Sequence, residues 1–274
     1  MTKRSADSLL SAVDAWEVEH VSAALVGPDG VVGVAGDPHH VYDLASVTKL
    51  ITAYGCLIAV EEETLDLAEA VDPPGATVRH LLAHTAGFGF DDGVVQEPGR
   101  RRIYSNTGFE ALGQHLTDRA HMPIGQYLTE AVLEPLGMDA TEVVDRSPAH
   151  GARSSLADLA RFARELLRPT LLSPTTLRDA TTVQFAGLDG VLPGVGQQSP
   201  NDWGLGFELR GQKSPHWTGT TNSPETFGHF GGAGTFLWVD PAIDRALVVL
   251  TDREFGPWAM EVWPELADSV VAAT

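Results

Sequence analysis

The sequence contains little cysteine and little lysine and lacks long apolar runs, and each shortage limits what the protein can be. A single cysteine, Cys56, excludes a disulfide framework among the 274 residues. Lysine and arginine together number 18 against 37 aspartates and glutamates, which gives a formal net charge of −19. An acidic chain repels phosphates, so we expect neither a nucleic-acid partner nor binding to an anionic membrane.

The N-terminal twenty residues combine a basic start with scattered acidic residues and contain no continuous apolar run. A secretory signal peptide and a membrane-spanning helix both need such a run. The sequence therefore predicts a cytoplasmic protein. Hydrophobic residues make up 43% of the chain, which is enough for a sizeable core.

Strand signals lie towards both ends of the chain. Residues 7–19 have the apolar spacing of an amphipathic helix, and the two apolar segments that follow flank a Pro-Asp-Gly turn at residues 28–30, which predicts a hairpin. From residue 203 onward, short β-rich segments alternate with turn residues. Residues 258–272 predict a last amphipathic helix with Trp263, Leu266 and Val270 facing inward.

The middle of the chain has a helical texture. An apolar helix is predicted from Ser46, and residues 61–170 are mainly helical in pattern. Within that segment, Ser155 and Asp158 predict the capped start of a helix. Strands do not alternate with helices there, which excludes a doubly wound parallel sheet. We therefore predict an α/β (α+β) fold in which residues 1–60 and 171–274 form one lobe and residues 61–170 form an inserted helical lobe.

Ser46 and Lys49 have the spacing of a nucleophile and its base. Serine is a weak nucleophile that needs a base within hydrogen-bond reach. An i, i+3 pair on a helix lies on one face with about 5–6 Å between Cβ atoms. Burial and the positive end of the helix dipole both lower the pKa of a lysine towards that of a useful base. The structural alternative is a serine N-cap followed by a lysine that reaches solvent.

The amino-acid usage favours the catalytic alternative. The chain has 14 serines but only three lysines, Lys3, Lys49 and Lys213, against 15 arginines. Chance then predicts roughly 0.15 Ser-x-x-Lys matches, so a false positive is uncommon. Arginine does not deprotonate in proteins, whereas a lysine does when it is buried.

Several further segments match one family in the same order along the chain. The matching segments are VYDLASVTKLITA, TVRHLLAHTAGFG, PGRRRIYSNTGFEALG, LEPLGM, WGLGF and GHFGGAGTFLWVDP. Together they resemble the serine β-lactamase-like and penicillin-binding protein family, and in particular its class C-like β-lactamases, D-amino-acid peptidases and related carboxylesterases. The resemblance covers nearly the whole chain. It implies a mainly antiparallel sheet flanked by helices from both chain ends, with an inserted helical lobe.

The resemblance also implies roles for individual residues. Ser46 would form the acyl-enzyme, and Lys49 would take or relay its proton. Tyr104 would complete the base and protonate the leaving group, while Asn106 would orient Lys49 and the substrate. Backbone N–H groups of Ser46 and Gly232 would form the oxyanion hole. No metal or organic cofactor is implied.

The third motif departs from the family pattern of Lys-Thr-Gly or His-Thr-Gly. Here it consists of His229, Phe230 and Gly231, which we take as substrate-binding residues. Histidine is mostly neutral at pH 7 and phenylalanine has no hydroxyl. A substrate carboxylate would therefore lack the cation and the hydroxyl donor that the family motif supplies. We expect an apolar rim at Phe230 that tolerates an uncharged ester.

The sequence thus predicts a serine hydrolase acting on small ester or amide substrates, most consistent with a carboxylesterase. Two alternatives remain open: a β-lactamase or D-amino-acid peptidase, and a sensor that is acylated without turning over. The small molecule is the expected partner, and the chain is expected to be a monomer or a small homo-oligomer.

Two basic features near these motifs have other interpretations. His80 and His84 have helical spacing but no third ligand, so we predict no metal site and a bond from His84 to the backbone near Thr85. The arginines at 100–102 precede Tyr104, where they attract an anionic substrate or form a solvated loop, and we favour the solvated loop.

Overall fold

A six-stranded sheet built from both ends of the chain forms the centre of the computed structural model, which describes residues 3–274. Its strands run in the order β10-β11-β12-β13-β1-β2, and every neighbouring pair is antiparallel. The strands are β1 (Val21–Gly27), β2 (Gly30–Ala35), β3 (Val41–Asp43), β4 (Ala70–Val71), β5 (Ala76–Thr77), β6 (Arg102–Ile103), β7 (Arg153–Ser155), β8 (Gly190–Leu192), β9 (Gly196–Gln198), β10 (Glu208–Leu209), β11 (Phe227–Gly231), β12 (Thr235–Asp240) and β13 (Arg245–Thr251). The predicted mixed fold with a mainly antiparallel sheet is confirmed.

The helices cover both faces of this sheet and fill the middle of the chain. They are α1 (Lys3–Leu10), α2 (Thr48–Glu61), α3 (Val78–Leu82), α4 (Asn106–Ala120), α5 (Ile124–Leu128), α6 (Glu134–Leu136), α7 (Leu156–Leu167), α8 (Pro174–Ala180) and α9 (Pro257–Ala273). Within residues 3–274, no helix is both long and apolar enough to cross a bilayer.

Strand β1 is buried on both sides because two layers of helix pack on the sheet. Ala24 and Val26 face the core that contains α2 and α7, whereas Ala23 and Leu25 face the core that contains α1 and α9. Successive side chains of a strand point to opposite faces, so an apolar run without alternation fits this position. The hairpin between β1 and β2 turns at Gly30, as predicted.

The first helix is shorter than the predicted segment 7–19. Helix α1 ends at Leu10, and a tighter 3₁₀ turn spans Ser11–Ala15. The Ser11 hydroxyl donates to the Ser8 carbonyl at 2.8 Å, a local bond that competes with regular helix geometry. The last helix matches the prediction closely, and its three expected inward residues are buried: Trp263, Leu266 and Val270.

Helix α7 begins where the sequence predicts a capped helix. The Ser155 hydroxyl accepts a bond of 3.2 Å from the backbone N–H of Asp158. This helix packs against β1 and β13, so the last part of the segment 61–170 lies with the sheet. The division of the chain into two lobes stays a prediction.

Candidate active site

Ser46 lies in a tight turn that leads into α2. The turn spans Ala45–Val47 as a single 3₁₀ segment, and Ser46 itself is half-buried. Ala45 has a φ of 45°, in the left-handed region that costs a non-glycine residue free energy. Such strain collects at sites where the surrounding structure holds a side chain in one orientation.

Strands β11 and β12 both contact the carbonyl of Leu44, the residue before this turn. The Thr235 hydroxyl donates to the Leu44 carbonyl at 2.8 Å, which joins β12 to the residue before the turn. A Cβ on Gly231 would lie 2.2 Å from the same carbonyl oxygen, so only glycine permits the approach. The predicted role of Gly231 in substrate binding stays a prediction, and its position shows a packing role.

Lys49 is fully buried beside the turn and is held by two acceptors. Its Nζ donates to Asn106 Oδ1 at 2.6 Å and to the Ala149 carbonyl at 2.8 Å. Burial lowers the pKa of Lys49 to about 7, although the carboxylates of Glu110 and Asp91 act in the opposite direction. A lysine that titrates near neutral pH is suited to accept a proton.

Tyr104 lies against the same amine. Lys49 Nζ is 4.7 Å from the centroid of the Tyr104 ring. The Tyr104 hydroxyl is buried and has no partner at hydrogen-bonding geometry within residues 3–274. The nearby Ser46 hydroxyl lowers the pKa of Tyr104, because it favours the ionised form. Burial dominates and raises the pKa of Tyr104, so the phenol is neutral at working pH.

Asn106 begins helix α4 and connects Lys49 to the surface. Its Nδ2 donates to Asp91 Oδ1 at 2.8 Å, and its backbone N–H donates to the Phe90 carbonyl at 2.7 Å. Ser105 caps the helix by accepting from the Gly108 N–H at 2.9 Å. The structure thus brings Ser46, Lys49, Tyr104 and Asn106 together, as the family resemblance implies.

His84 lies behind Tyr104, and its ring bonds to the backbone as predicted, but at Ser105 and not near Thr85. Its Nδ1 accepts from the backbone N–H of Ser105 at 3.2 Å, which joins it to the cap of α4. Its ring lies 4.8 Å from that of Tyr104 and 4.6 Å from that of Trp203. Burial lowers the pKa of His84, so the ring is neutral and packs as an aromatic group.

His229 faces the same group of rings from strand β11. Its Nδ1–H donates to the Phe230 carbonyl, which leaves Nε2 as a buried acceptor without a partner in the described chain. Burial lowers the pKa of His229 to about 3, with a further contribution from nearby Lys49. The neutral state predicted for this histidine follows from that shift.

An apolar cavity of 180 Å³ opens beside Ser46. The residues that line it are Ser46, Phe90, Tyr104, Leu192, Pro193, Gly194, His229, Phe230, Gly232 and Phe255. Phe230 is only 7% exposed and lies 4.5 Å from the Phe255 ring, so it forms a buried wall and not the predicted rim. Gly232 lines the cavity, while Gly231 lies outside it.

A buried ionic cluster behind the site was missed by the sequence analysis. Glu208 accepts from Lys213 at 2.9 Å, from His216 at 2.8 Å and from the Trp217 indole at 2.6 Å. Lys213 Nζ is also 5.8 Å from the centroid of the Trp203 ring, which in turn contacts Tyr104 and His229. Only the unusual retention of a lysine at 213 pointed to this cluster.

The arginine segment before Tyr104 differs from the predicted solvated loop. Arg102 is 1% exposed, and its guanidinium donates to backbone carbonyls of Ala83, Asn201 and Gln184. Arg100 and Arg101 are exposed. The prediction holds for these two residues and is wrong for Arg102.

A group with metal-ligand spacing within residues 3–274 is Glu19, His20 and Asp252, and all three residues are exposed. Asp252 already accepts from the backbone N–H groups of Glu19 and His20 and from the His20 ring. The carboxylate thus caps the backbone at residues 19 and 20. The expectation that the active site uses no metal stays a prediction.

Comparisons with known proteins agree with this geometry. The model of the Beta-lactamase family matches residues 13–272. A beta-lactamase structure from Mycobacterium bovis is 53% identical over 97% of this chain and 98% of its own, with a TM-score of 0.95. EstCE1, a hydrolase with promiscuous acyltransferase activity, has a TM-score of 0.78 over 97% of both chains but is 16% identical, which shows the fold alone.

The similarity to a curated protein covers a short segment. A Salmonella gallinarum protein with the provisional name D-alanyl-D-alanine carboxypeptidase is 36% identical over 84 residues. That match spans 30% of this chain and 17% of the relative's length.

Proposed function

Since this chain belongs to the beta-lactamase family of serine hydrolases, we propose that it is a carboxylesterase acting through an acyl-enzyme at Ser46. One observation carries the choice of substrate. Among the residues that line the cavity beside Ser46, all within 3–274, none carries a permanent positive charge, and the one imidazole is neutral. A carboxylate next to the reacting carbonyl would lose its hydration without gaining a counter-ion.

Acylation uses the residues that surround Ser46. Neutral Lys49 accepts the Ser46 proton as Oγ attacks the ester carbonyl carbon, and the negative charge moves to the carbonyl oxygen. The backbone N–H groups of Ser46 and Gly232 stabilise that oxyanion. When the C–O bond breaks, the Tyr104 hydroxyl gives its proton to the leaving alkoxide and regains one from protonated Lys49.

Deacylation repeats these steps with water as the nucleophile. The water loses its proton to the Lys49–Tyr104 pair as it attacks the acyl carbon, and the second tetrahedral intermediate expels Ser46 Oγ. Ser46 recovers the proton, and the acid is released. The buried, neutral surroundings of Tyr104 and His229 support this assignment, because neither group adds a charge that would bind an anionic acyl group.

A β-lactamase is the second candidate function, and the 53% identity to the Mycobacterium bovis beta-lactamase favours it. A D-amino-acid peptidase and a sensor that is acylated without turnover are the remaining alternatives. The substrates of a β-lactamase and of a D-amino-acid peptidase carry a carboxylate near the scissile bond. The absence of a cation among the described residues that line the cavity argues against both functions.

The deciding experiment uses a chromogenic butanoate ester and, separately, a chromogenic cephalosporin. Product release and intact mass are followed for the wild type, for Ser46→Ala and for Ser8→Ala, an exposed serine that serves as the matched control. We expect ester turnover in the wild type and in Ser8→Ala, none in Ser46→Ala, and little cephalosporin hydrolysis.

Other outcomes identify the alternatives. Fast cephalosporin turnover would establish a β-lactamase, and a stable adduct of +1 acyl group without release would establish a sensor. Phe230→Thr, which restores the family hydroxyl, should increase cephalosporin acylation relative to ester turnover. If Phe230→Thr changes neither reaction, the third motif does not select the substrate.

A further inference from the structure

A second apolar cavity continues from the active site over the small sheet β6-β8-β9. This groove measures 430 Å³ and shares Phe90, Tyr104 and Pro193 with the cavity beside Ser46. Its own lining adds Ile103, Val191 and the arginines at 101 and 102. The two cavities therefore meet at Tyr104, the group proposed to protonate the leaving oxygen.

The apolar floor of the groove follows from strand register. Strand β6 pairs parallel with β8, and Ile103 lies opposite Val191. Residues opposite each other in a sheet present their side chains on the same face. Val191 is 49% exposed and Phe90 is 46% exposed, so apolar surface remains open to solvent along the groove.

The three consecutive arginines before the groove have different partners. Arg100 pairs with Glu97 at 3.0 Å, and Arg102 is buried against backbone carbonyls. Arg101 is exposed and donates to the Gln197 amide oxygen at 3.1 Å, and no carboxylate in residues 3–274 pairs with it. Of the three, Arg101 is therefore the one with a guanidinium available to a ligand in the groove.

Arg101 also lies at a defined distance from the chemistry. Arg101 and Tyr104 flank strand β6 and are three positions apart, which corresponds to roughly 10 Å of extended chain. The apolar surface between them has no charged side chain except the buried Arg102. A ligand that fits both ends must be apolar in the middle and anionic at its far end.

We propose that this groove binds the alcohol part of the ester substrate and that Arg101 binds an anionic group at the far end of that alcohol; the proposal rests on the esterase function above. Ser46 and Gly232, which supply the oxyanion N–H groups, line only the inner cavity. The acyl group therefore occupies the inner cavity, and the alcohol extends past Tyr104 into the groove. The substrate class is an ester of a short acyl group with a long ω-anionic alcohol.

The test compares two butanoate esters of equal length, one of 8-hydroxyoctanoate and one of its neutral amide, 8-hydroxyoctanamide. The variants are Arg101→Gln, Arg101→Glu and Arg100→Gln, the last being the matched control because Arg100 already has a carboxylate partner. We expect kcat/KM of the wild type to favour the carboxylate ester about fivefold at low salt, since exposed ion pairs are modest in strength. Added salt should reduce that preference.

Arg101→Gln should abolish the preference, Arg101→Glu should reverse it, and Arg100→Gln should keep it, while all three retain turnover of ethyl butanoate. A wild type without preference, or a preference that survives Arg101→Gln, overturns the proposal while leaving the esterase function intact. The monobutyl ester of octanedioic acid carries its anionic group on the acyl part. If Arg101 instead confers a preference for this ester, the acyl group lies in the groove and the assignment of the alcohol is overturned. No Ser46-dependent cleavage of any ester would overturn both.

Discussion

Lys49 Nζ donates a hydrogen bond of 2.6 Å to Asn106 Oδ1, and the Ala149 carbonyl accepts a second bond of 2.8 Å from the same nitrogen. A neutral amine has two hydrogens and one lone pair. Both hydrogens are therefore used in the neutral form, and the lone pair is left to accept a proton, which the proposed mechanism takes from Ser46. A protonated Lys49 would carry a third hydrogen with no acceptor in the described hydrogen-bond network, which agrees with the pKa of about 7.

The first prediction concerns the pH dependence of turnover. Because the proposed mechanism requires a neutral Lys49 and the pKa of Lys49 is about 7, kcat/KM should fall about tenfold for each pH unit below that value. Tyr104 has a raised pKa and His229 a pKa of about 3, so neither should add an inflection between pH 5 and 9. Lys49→Met should lose on the order of 10³-fold in kcat. An acid limb that persists unchanged in residual Lys49→Met activity would contradict the assignment.

The second prediction uses the carboxylate that lies beyond Asn106. Asp91 raises the pKa of Lys49 and accepts a bond from Asn106 Nδ2. Asp91→Asn removes the charge and keeps an oxygen acceptor, so the acid limb of the pH–rate profile should move to lower pH. Asp92→Asn, an exposed neighbour that lacks this bond, is the control and should leave the profile in place. An equal shift in both variants would indicate a general surface-charge effect.

The third prediction concerns the contact between β11 and the turn of Ser46. A Cβ at residue 231 would lie 2.2 Å from the Leu44 carbonyl oxygen. Gly231→Ala should therefore lower the free energy of unfolding by about 1–3 kcal/mol, and the displaced turn should lower kcat by on the order of 10²-fold. Gly93→Ala is the control, because no atom lies within 4 Å of a Cβ at that position. Thermal melts and ester turnover measure both effects.

Sequence reasoning succeeded where the signal was local or ordered along the chain. The i, i+3 spacing of Ser46 and Lys49 predicted that these two side chains lie on one face. The family resemblance, carried by the segment that contains Tyr104 and Asn106, implied that these two residues join them. The hairpin at Gly30 and the cap at Ser155 were equally local, because turn and cap chemistry involve residues within four positions.

The features that were missed depend on contacts between distant segments. Arg102 belongs to a run of three arginines in the sequence, yet the backbone carbonyls that accept from its guanidinium are those of residues 83, 184 and 201. Phe230 was expected at a rim, but it is buried because the ring of Phe255, from a distant loop, packs against it. The sequence around Phe230 does not show this contact. The partner of His84 is likewise 21 residues away. Periodicity and composition carry no information about such pairings.

The fourth prediction tests whether Arg102 stabilises the fold. Its guanidinium donates to several backbone carbonyls from three segments and is 1% exposed. Arg102→Met fills a similar volume but leaves those carbonyls without a donor, so unfolding should become easier by about 3 kcal/mol or more. Arg100→Met is the control, since a fully exposed ion pair contributes little. A difference below about 1 kcal/mol between the two variants in denaturant melts would contradict this role.

The fifth prediction concerns the length of the acyl group. Phe255 closes the inner cavity by packing on Phe230, and a Cβ on Gly194 would lie 2.6 Å from the Phe255 ring. Phe255→Ala should therefore extend the cavity and raise kcat/KM for octanoyl esters relative to butanoyl esters, by about fourfold for each additional methylene that becomes buried. Turnover of the acetyl ester should change little, because a two-carbon acyl group on Ser46 is too short to fill the added space. The measurement is a series of 4-nitrophenyl esters from two to ten carbons with both proteins. If Phe255→Ala lowers kcat/KM equally for every chain length, the ring supports the site as a whole and does not limit the acyl group.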